Sequence, residues 1–554
     1  MKKMKLFTNK YIMMGLATVL LLTASCKKVL EITPTDQVND PLMWSNQDMV
    51  LTYTGNFYAQ LYSGFSGPHP NSSIFTGNLL SDLTDDGEAN STVYNTYWNG
   101  AYDSSNSPLN AMWSATSFGR WMYIRRANEF LAKIDAVPGD QNLNKRMKAE
   151  IRFLRAYYYF DLMNWFGPLP IITTAQNELD ESAFVAKATK DEFNDFLVKE
   201  LTAAAADLPV AYASSEWGRI TKGAALSMQA RIQLYAGRWA DAAATAKTVM
   251  ELKTYALQTS YSSVFANNNK TNNEVILAVQ FNGDKAQRSH LFDTYNQPPA
   301  FGGRGGTLPT QNLVDDYEMQ VTGLPITNPL SGYDPQQPYV GRDPRFAATV
   351  LYDGSTFRGR ALQLYNGGID LTVSGGIIAG WVTNTGYYLR KFTDESINLA
   401  DANVASSQNW ILFRYAEVLL NYAEAQNEAI GPDNTVYDAV NQVRKRAGMP
   451  NLPIGLSQTD MRTAIRHERR IELAFEDARY WDVKRWKLAV NLFSTATNPI
   501  KKMEIVRNAT TGVKTYTVKN LTKVRIFQEK HYLFPFPITE INKPGNKIEQ
   551  NLGW

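Results

Sequence analysis

Two stretches of this sequence mix flat aromatic rings with amide and guanidinium groups. Tyr94, Tyr97, Trp98, Asn99 and Tyr102 form one group, and Tyr295, Phe301, Arg304 and Trp381 form another. Such rings can cover the apolar C–H faces of a sugar while Asn and Arg bond its hydroxyls, so both groups are candidate ligand-binding residues. With 29 tyrosines and 12 tryptophans in the chain, many rings must also be core. Trp113 and Trp121, flanking an expected helix, are read that way. Asp82, Asp85, Asp86 and Glu88 lie just before the first group and could take Ca²⁺. Their spacing does not match an EF-hand loop, and a solvated loop or a helix N-cap is the simpler reading.

Signatures of covalent chemistry are missing. The four histidines, His69, His290, His467 and His531, are scattered. His467 and Glu468 are not followed by a second histidine at helical spacing, so the zinc-protease pattern fails. Residues 302–306 are glycine-rich, but no strand-to-helix frame brackets them and no Gly-Lys-Ser/Thr closes them. They read as a flexible loop rather than a phosphate cradle. No Gly-x-Ser-x-Gly elbow occurs. No catalytic residue, metal or cofactor is therefore expected. A glycoside hydrolase needs only two carboxylates about 5–10 Å apart in a cleft, so that alternative stays open.

The elements that position these groups begin after a targeting segment. Lys2, Lys3, Lys5 and Lys10 form a basic start, and Tyr11 to Leu22 form an apolar run too short to span a bilayer. The sole cysteine, Cys26, follows Thr23, Ala24 and Ser25. This placement resembles a bacterial lipobox, with Thr23 a small departure, and implies acylation of Cys26 and removal of residues 1–25. Several acyl chains suffice for stable anchoring. The removed segment carries four lysines and no acids, so the net charge falls from +3 to −1. No basic surplus remains to attract nucleic acid.

Residues 26–40 read as a lipidated tether and residues 41–554 as a single domain. Its N-terminal part, 41–280, is helical; residues 281–554 are loop-rich and C-terminal. Lys145 to Phe166 has helical periodicity and stops at Gly167 and Pro168. Thr221 to Met250 is a helical hairpin broken at Gly237, with alanines on the facing arm, in the manner of a tetratricopeptide repeat. Asn409 to Gly431 and Thr435 to Ala447 repeat the theme. Hairpins of this kind must stack to bury their apolar faces. Residues 60–120 and 281–390 are irregular, and long loops in a compact protein are usually functional. Val275 to Phe281 and Tyr387 to Phe392 are expected to form small β-hairpins, and 501–530 alternates like strands. The fold class is mainly α, a tetratricopeptide-like scaffold with long loops and a few short β-hairpins.

Motifs along nearly the whole chain resemble the SusD/RagB family of starch-utilisation-type lipoproteins. They run from Arg155–Leu162 with Trp165–Pro170, through Arg342–Phe346, Arg414–Ala425 and Val443–Gly448. Glu468–Glu476 with Arg479–Trp486, Phe534–Pro537 and Gln550–Trp554 complete the series. Asp477, Phe536 and Leu552 depart from the family pattern, where glycine, an aliphatic residue and proline are usual. The resemblance implies an outer-membrane location facing outwards and a SusC-like TonB-dependent transporter as partner. The chain would grip oligosaccharides as a lid over that transporter, with peptides as the alternative cargo. It assigns no ligand residue, because the two aromatic loops carry no family motif. The Glu468–Trp486 motif itself reads as scaffold, with Arg469–Glu472 and Glu476–Arg479 as helix-surface pairs.

Overall fold

The computed structural model describes residues 40–65, 77–114, 119–176, 184–284, 288–373, 378–400 and 405–554. The signal segment, Cys26, the tether except Asp40, and His69 lie outside these residues. The molecule is mainly α. Before the long insertion come α1 (Gln47–Tyr58), α2 (Arg120–Lys133), α3 (Gln141–Phe166), α4 (Lys190–Asp207), α5 (Lys222–Ala236) and α6 (Trp239–Glu251). After it come α7 (Tyr415–Ile430), α8 (Asn434–Arg446), α9 (Gln458–Glu472) and α10 (Ala478–Arg485). From α2 to α8 each helix packs on the next, and α6 meets α7 although residues 252–414 separate them. The α5–α6 hairpin turns at Gly237, whose φ of +79° is left-handed, and Arg238 N–H caps Gln233 O at 2.9 Å. Ala242 and Ala246 are buried on the facing arm.

The Asp140 carboxylate accepts from Asn142 N–H to start α3, and Gly167 ends it. Its last carbonyls would be orphans, but the C-terminal motifs satisfy them. Phe534 N–H bonds Trp165 O at 2.7 Å, and the Asn551 amide donates to Phe166 O at 2.8 Å. Phe536 stacks on Phe166 and meets Trp113 edge-on. Each fully buried Phe or Leu of this kind contributes about 1.5–3 kcal/mol.

Among the described residues the strands form antiparallel pairs. These are β1 (Gly87–Ala89) with β3 (Thr307–Pro309), and β2 (Val275–Val279) with β8 (Trp410–Arg414). The remaining pairs are β4 (Val350–Leu351) with β7 (Tyr388–Leu389), β5 (Thr356–Phe357) with β6 (Arg360–Ala361), and β9 (Lys501–Arg507) with β10 (Lys514–Asn520). Two expectations are corrected. Val275–Phe281 and Tyr387–Phe392 form no local hairpins, because each is a buried run that finds its partner far along the chain. The helix expected from Asn409 starts only at Tyr415, because the apolar run Trp410–Phe413 is buried on both faces of β8. The β2–β8 pair thus closes the base of an insertion, residues 280–409, of which Phe292, Tyr317, Phe346 and Phe392 join the main core.

The main core is continuous from Val50 to Phe536. A satellite core of Leu308, Leu351, Phe357, Leu362, Leu364 and Tyr388 supports the insertion, with Phe301 packed against it.

Candidate functional site

The glycine-rich turn of the insertion is a rigid bracket. The short helix Phe292–Asn296 leads into a turn at Pro299–Phe301, and Gly302 continues in the left-handed region. Gly306 N–H then bonds Tyr295 O at 2.7 Å, and Gly305 N–H bonds Gln297 O at 3.1 Å. The Asn296 side chain donates to Gly77 O at 2.6 Å and accepts from Thr307 N–H at 2.9 Å. Asn90 clamps the far side, its amide donating to Gly305 O at 2.7 Å. A Cβ on Gly303 would fall 1.9 Å from Gln297 O, and one on Gly305 would fall 2.6 Å from Trp381 O. The expectation of a flexible loop is therefore corrected: the glycines are needed for close backbone approach.

This bracket holds Arg304 outward between two rings. Its guanidinium carbon lies 5.0 Å from the Tyr295 ring centre and 5.3 Å from that of Trp381. Arg304 is exposed and both rings are half-buried. Trp381 is fixed by a turn in which its N–H bonds Ile378 O at 2.9 Å. Phe301, three residues before Arg304, meets Phe357 edge-on and carries the Arg360 guanidinium at 4.3 Å. Tyr295, Arg304 and Trp381 of the second candidate group thus come together, while Phe301 packs on the neighbouring β5–β6 hairpin and the satellite core.

The first group behaves differently. Tyr94, Tyr97, Trp98 and Tyr102 keep only 1, 8, 3 and 6 % of their surface exposed. Tyr102 stacks on Phe534 at 4.7 Å and lies 5.1 Å from Trp554, and Tyr97 also packs on Phe534. Trp98 Nε1–H donates to Asp82 O at 3.1 Å, with the Lys523 ammonium 4.1 Å from its ring centre. These four rings are core that seats the C-terminal motifs, which corrects their reading as ligand contacts. Only Asn99 is exposed.

The acidic cluster is neither a solvated loop nor a helix cap. Asp82, Asp85, Asp86 and Glu88 are all buried. Arg470 and Arg479 both bond Asp85, Arg470 also bonds Asp86 at 2.8 Å, and Arg525 and Lys523 hold Glu88. Burial pushes the Asp85 carboxyl up, but the two arginines outweigh it and hold it at about 2. Asp82 has no ion pair among the described residues; burial drives it well above the ordinary range although Asn78 and Thr307 donate to it and Arg525 lies near. The cluster therefore fastens an N-terminal segment to α9 and α10.

The motif pairs are corrected too. α9 ends at Glu472, and Phe475 and Asp477 adopt left-handed φ of +61° and +62°, so Glu476 and Arg479 share no helix face. Glu472 instead accepts from Arg414 at 2.6 Å, Arg345 at 3.0 Å and Arg446. Glu476 bonds Arg414 and Lys391. Burial opposes the charge on Glu472, yet Arg446, Arg414 and Arg345 hold it well below the usual carboxylate range.

Sequence reasoning missed Arg358, Arg360 and Asn90. The β5–β6 hairpin turns through Arg358 and Gly359 with φ of +46° and +83°, a two-residue turn that the Phe-Arg-Gly-Arg spacing could have signalled.

A stack of helical hairpins carrying a long loop-built insertion describes a class of fold, and comparison with known sequences gives its family. The sequence model of the SusD family matches residues 273–554. A second, described as starch-binding and associating with the outer membrane, matches residues 44–234. The chain belongs to the SusD/RagB family. SusD-like protein P2 of Formosa agariphila is 26% identical over 407 residues, spanning 70% of this chain and 74% of that protein. A SusD-like protein from Bacteroides fragilis NCTC 9343 superposes with a TM-score of 0.79 at 27% identity, covering 94% of this chain and 100% of the other. A SusD-like carbohydrate-binding protein from the same organism gives 0.74 at 25% identity, covering 90% and 98%. No helix among the described residues is long and apolar enough to cross a membrane.

Proposed function

We propose that this protein captures oligosaccharides at the cell surface, without cleaving them, and passes them to a SusC-like TonB-dependent transporter. The observation that carries the reading is the rigid face formed by Tyr295, Arg304 and Trp381. Half-buried rings offer apolar surface to a pyranose at low entropic cost, and a fixed guanidinium between them offers donors to its oxygens. The carbohydrate-binding relative and the starch-binding family description support the class of cargo. Carboxylates near the face are already engaged: Asp370 accepts two bonds from Arg360, and Glu395 is paired with Arg390. Such pairing supports a binding role over acid–base catalysis. Anchoring through acylated Cys26 would hold the protein at the outer membrane beside its transporter.

The test is a glycan and peptide array probed with residues 27–554, followed by calorimetry. A glycan is expected to bind saturably without product, and Trp381→Ala is expected to weaken it by roughly tenfold or more, the loss of about one ring-stacking contact. Trp98→Ala serves as the contrast, because its ring is core. It should lower stability by about 3–5 kcal/mol with little effect on affinity in the folded fraction. Binding of peptides alone would replace the cargo, and glycan cleavage would end the non-catalytic reading.

A further inference from the structure

Charge on the insertion face narrows the cargo. Among the described residues, the guanidinium of Arg304 has neither a hydrogen-bond acceptor nor a carboxylate partner; its contacts are the two rings that flank it. Arg358 is in the same position. Its backbone N–H bonds Glu395 at 3.3 Å, but its guanidinium meets only the Phe301 ring, at 5.9 Å. The neighbouring acids do not balance these two cations. Asp370 is neutralised by the bidentate pair with Arg360 at 2.7 and 2.8 Å and also accepts from Gln363 N–H at 2.8 Å. Glu395 is taken by Arg390 at 2.7 Å. Asp293 is buried and turned inward, bonding Ser406 at 2.7 Å and Gln408 at 2.8 Å.

We infer that this face selects glycans bearing anionic substituents, uronate carboxylates or sulfate esters, with Arg304 as the recognition residue and Arg358 as a second cation beside Phe301. The inference rests on the capture function proposed above. Neutral sugars need donors and acceptors in comparable number to match their hydroxyls, whereas guanidinium groups supply donors only. A planar guanidinium fits carboxylate and sulfate oxygens two at a time. The rings of Tyr295 and Trp381 restrict Arg304 to outward orientations, and the glycine bracket leaves its backbone no slack. Little conformational freedom therefore remains to be lost on binding an anion. Across the molecule most other arginines near the core are saturated: Arg345, Arg414 and Arg470 each hold two or more carboxylates. Among the described residues Arg126, Arg288 and Arg466 also meet a ring without a carboxylate partner, but each meets one ring, whereas Arg304 is held between two on a loop-built face.

Isothermal titration with residues 27–554 tests this, using array hits from neutral, uronate-bearing and sulfated glycans. Each acidic hit is compared with its methyl-esterified or desulfated counterpart. Acidic glycans are expected to dominate the hits, and removal of the charge should weaken binding at least about tenfold. Raising salt from about 0.05 M to about 0.5 M should weaken it as well. Arg304→Gln should reproduce most of the loss for acidic ligands and reduce the salt dependence, the remainder falling to Arg358, and Arg304→Lys should restore only part of the affinity. Separate uronate and sulfate arms identify which anion is preferred. If neutral glycans bind as tightly, with Trp381→Ala still weakening them, the charge selection is overturned and the capture function survives. If no glycan of any charge binds, both fall.

Discussion

Asp477 stands where the family usually has glycine, and its φ of +62° explains that preference: most side chains avoid the left-handed region. The carboxyl is buried, accepts from Tyr62 Oη at 2.5 Å and takes Leu80 N–H at 3.1 Å. Burial raises it to about 7. The folded state thus holds a proton that the unfolded state releases near pH 4, so this group's stabilisation is present below that point and lost as pH rises through 7. Wild type should therefore lose up to about 4 kcal/mol relative to Asp477→Asn between pH 4 and pH 7. Denaturant midpoints of both proteins across that range check the slope. A parallel pair of curves would show that the carboxylate is solvated. The residue scale also shows where sequence reading stops. Tyr97 and Trp381 are equally aromatic and equally loop-bound in the sequence. What separates them is Phe534, far along the chain, which covers the first and leaves the second open.

Elements divide in the same way. α3, α5 and α6 were legible because periodicity, caps and the break at Gly237 are local facts. β2 and β7 were visible as apolar runs, but their partners β8 and β4 are set by tertiary placement, which no local pattern encodes. The glycine-rich turn is the sharpest case. Its composition reads as freedom, yet Gly303 and Gly305 are fixed by Gln297 O and Trp381 O, contacts that only the fold creates. Gly305→Ala should push the turn off Trp381 and take Arg304 out from between the rings. Glycan affinity is expected to fall about tenfold or more, while the thermal midpoint moves by only a few degrees, because the turn rests on the small satellite core. Calorimetry and circular-dichroism melts separate the two effects. Unchanged affinity would mean that the bracket does not position Arg304.

At the scale of the whole molecule, sequence suggested a helical part, 41–280, followed by a loop-rich part. The contacts cross that boundary at several independent points. Strand β2 has its partner in β8, and Arg414 at the end of β8 bonds Glu274 at 2.8 Å as well as Glu472 and Glu476. Asp85 and Asp86 are matched by Arg470 and Arg479, and Glu88 by Arg525. The last carbonyls of α3 are capped by Phe534 and Asn551. A fragment ending at residue 280 would leave Asp85, Asp86, Glu88 and Glu274 without their cations. Charges buried without partners cost several kcal/mol each, comparable together to the total stability of a domain. The fragment 41–280 is therefore expected not to fold alone, despite containing α1 to α6, and the full chain 27–554 to unfold in one cooperative transition. Limited proteolysis and near-ultraviolet circular dichroism of the fragment decide it. A protease-resistant fragment with fixed aromatic signals would show that the helical part is a domain in its own right and that the ion pairs merely dock the remainder.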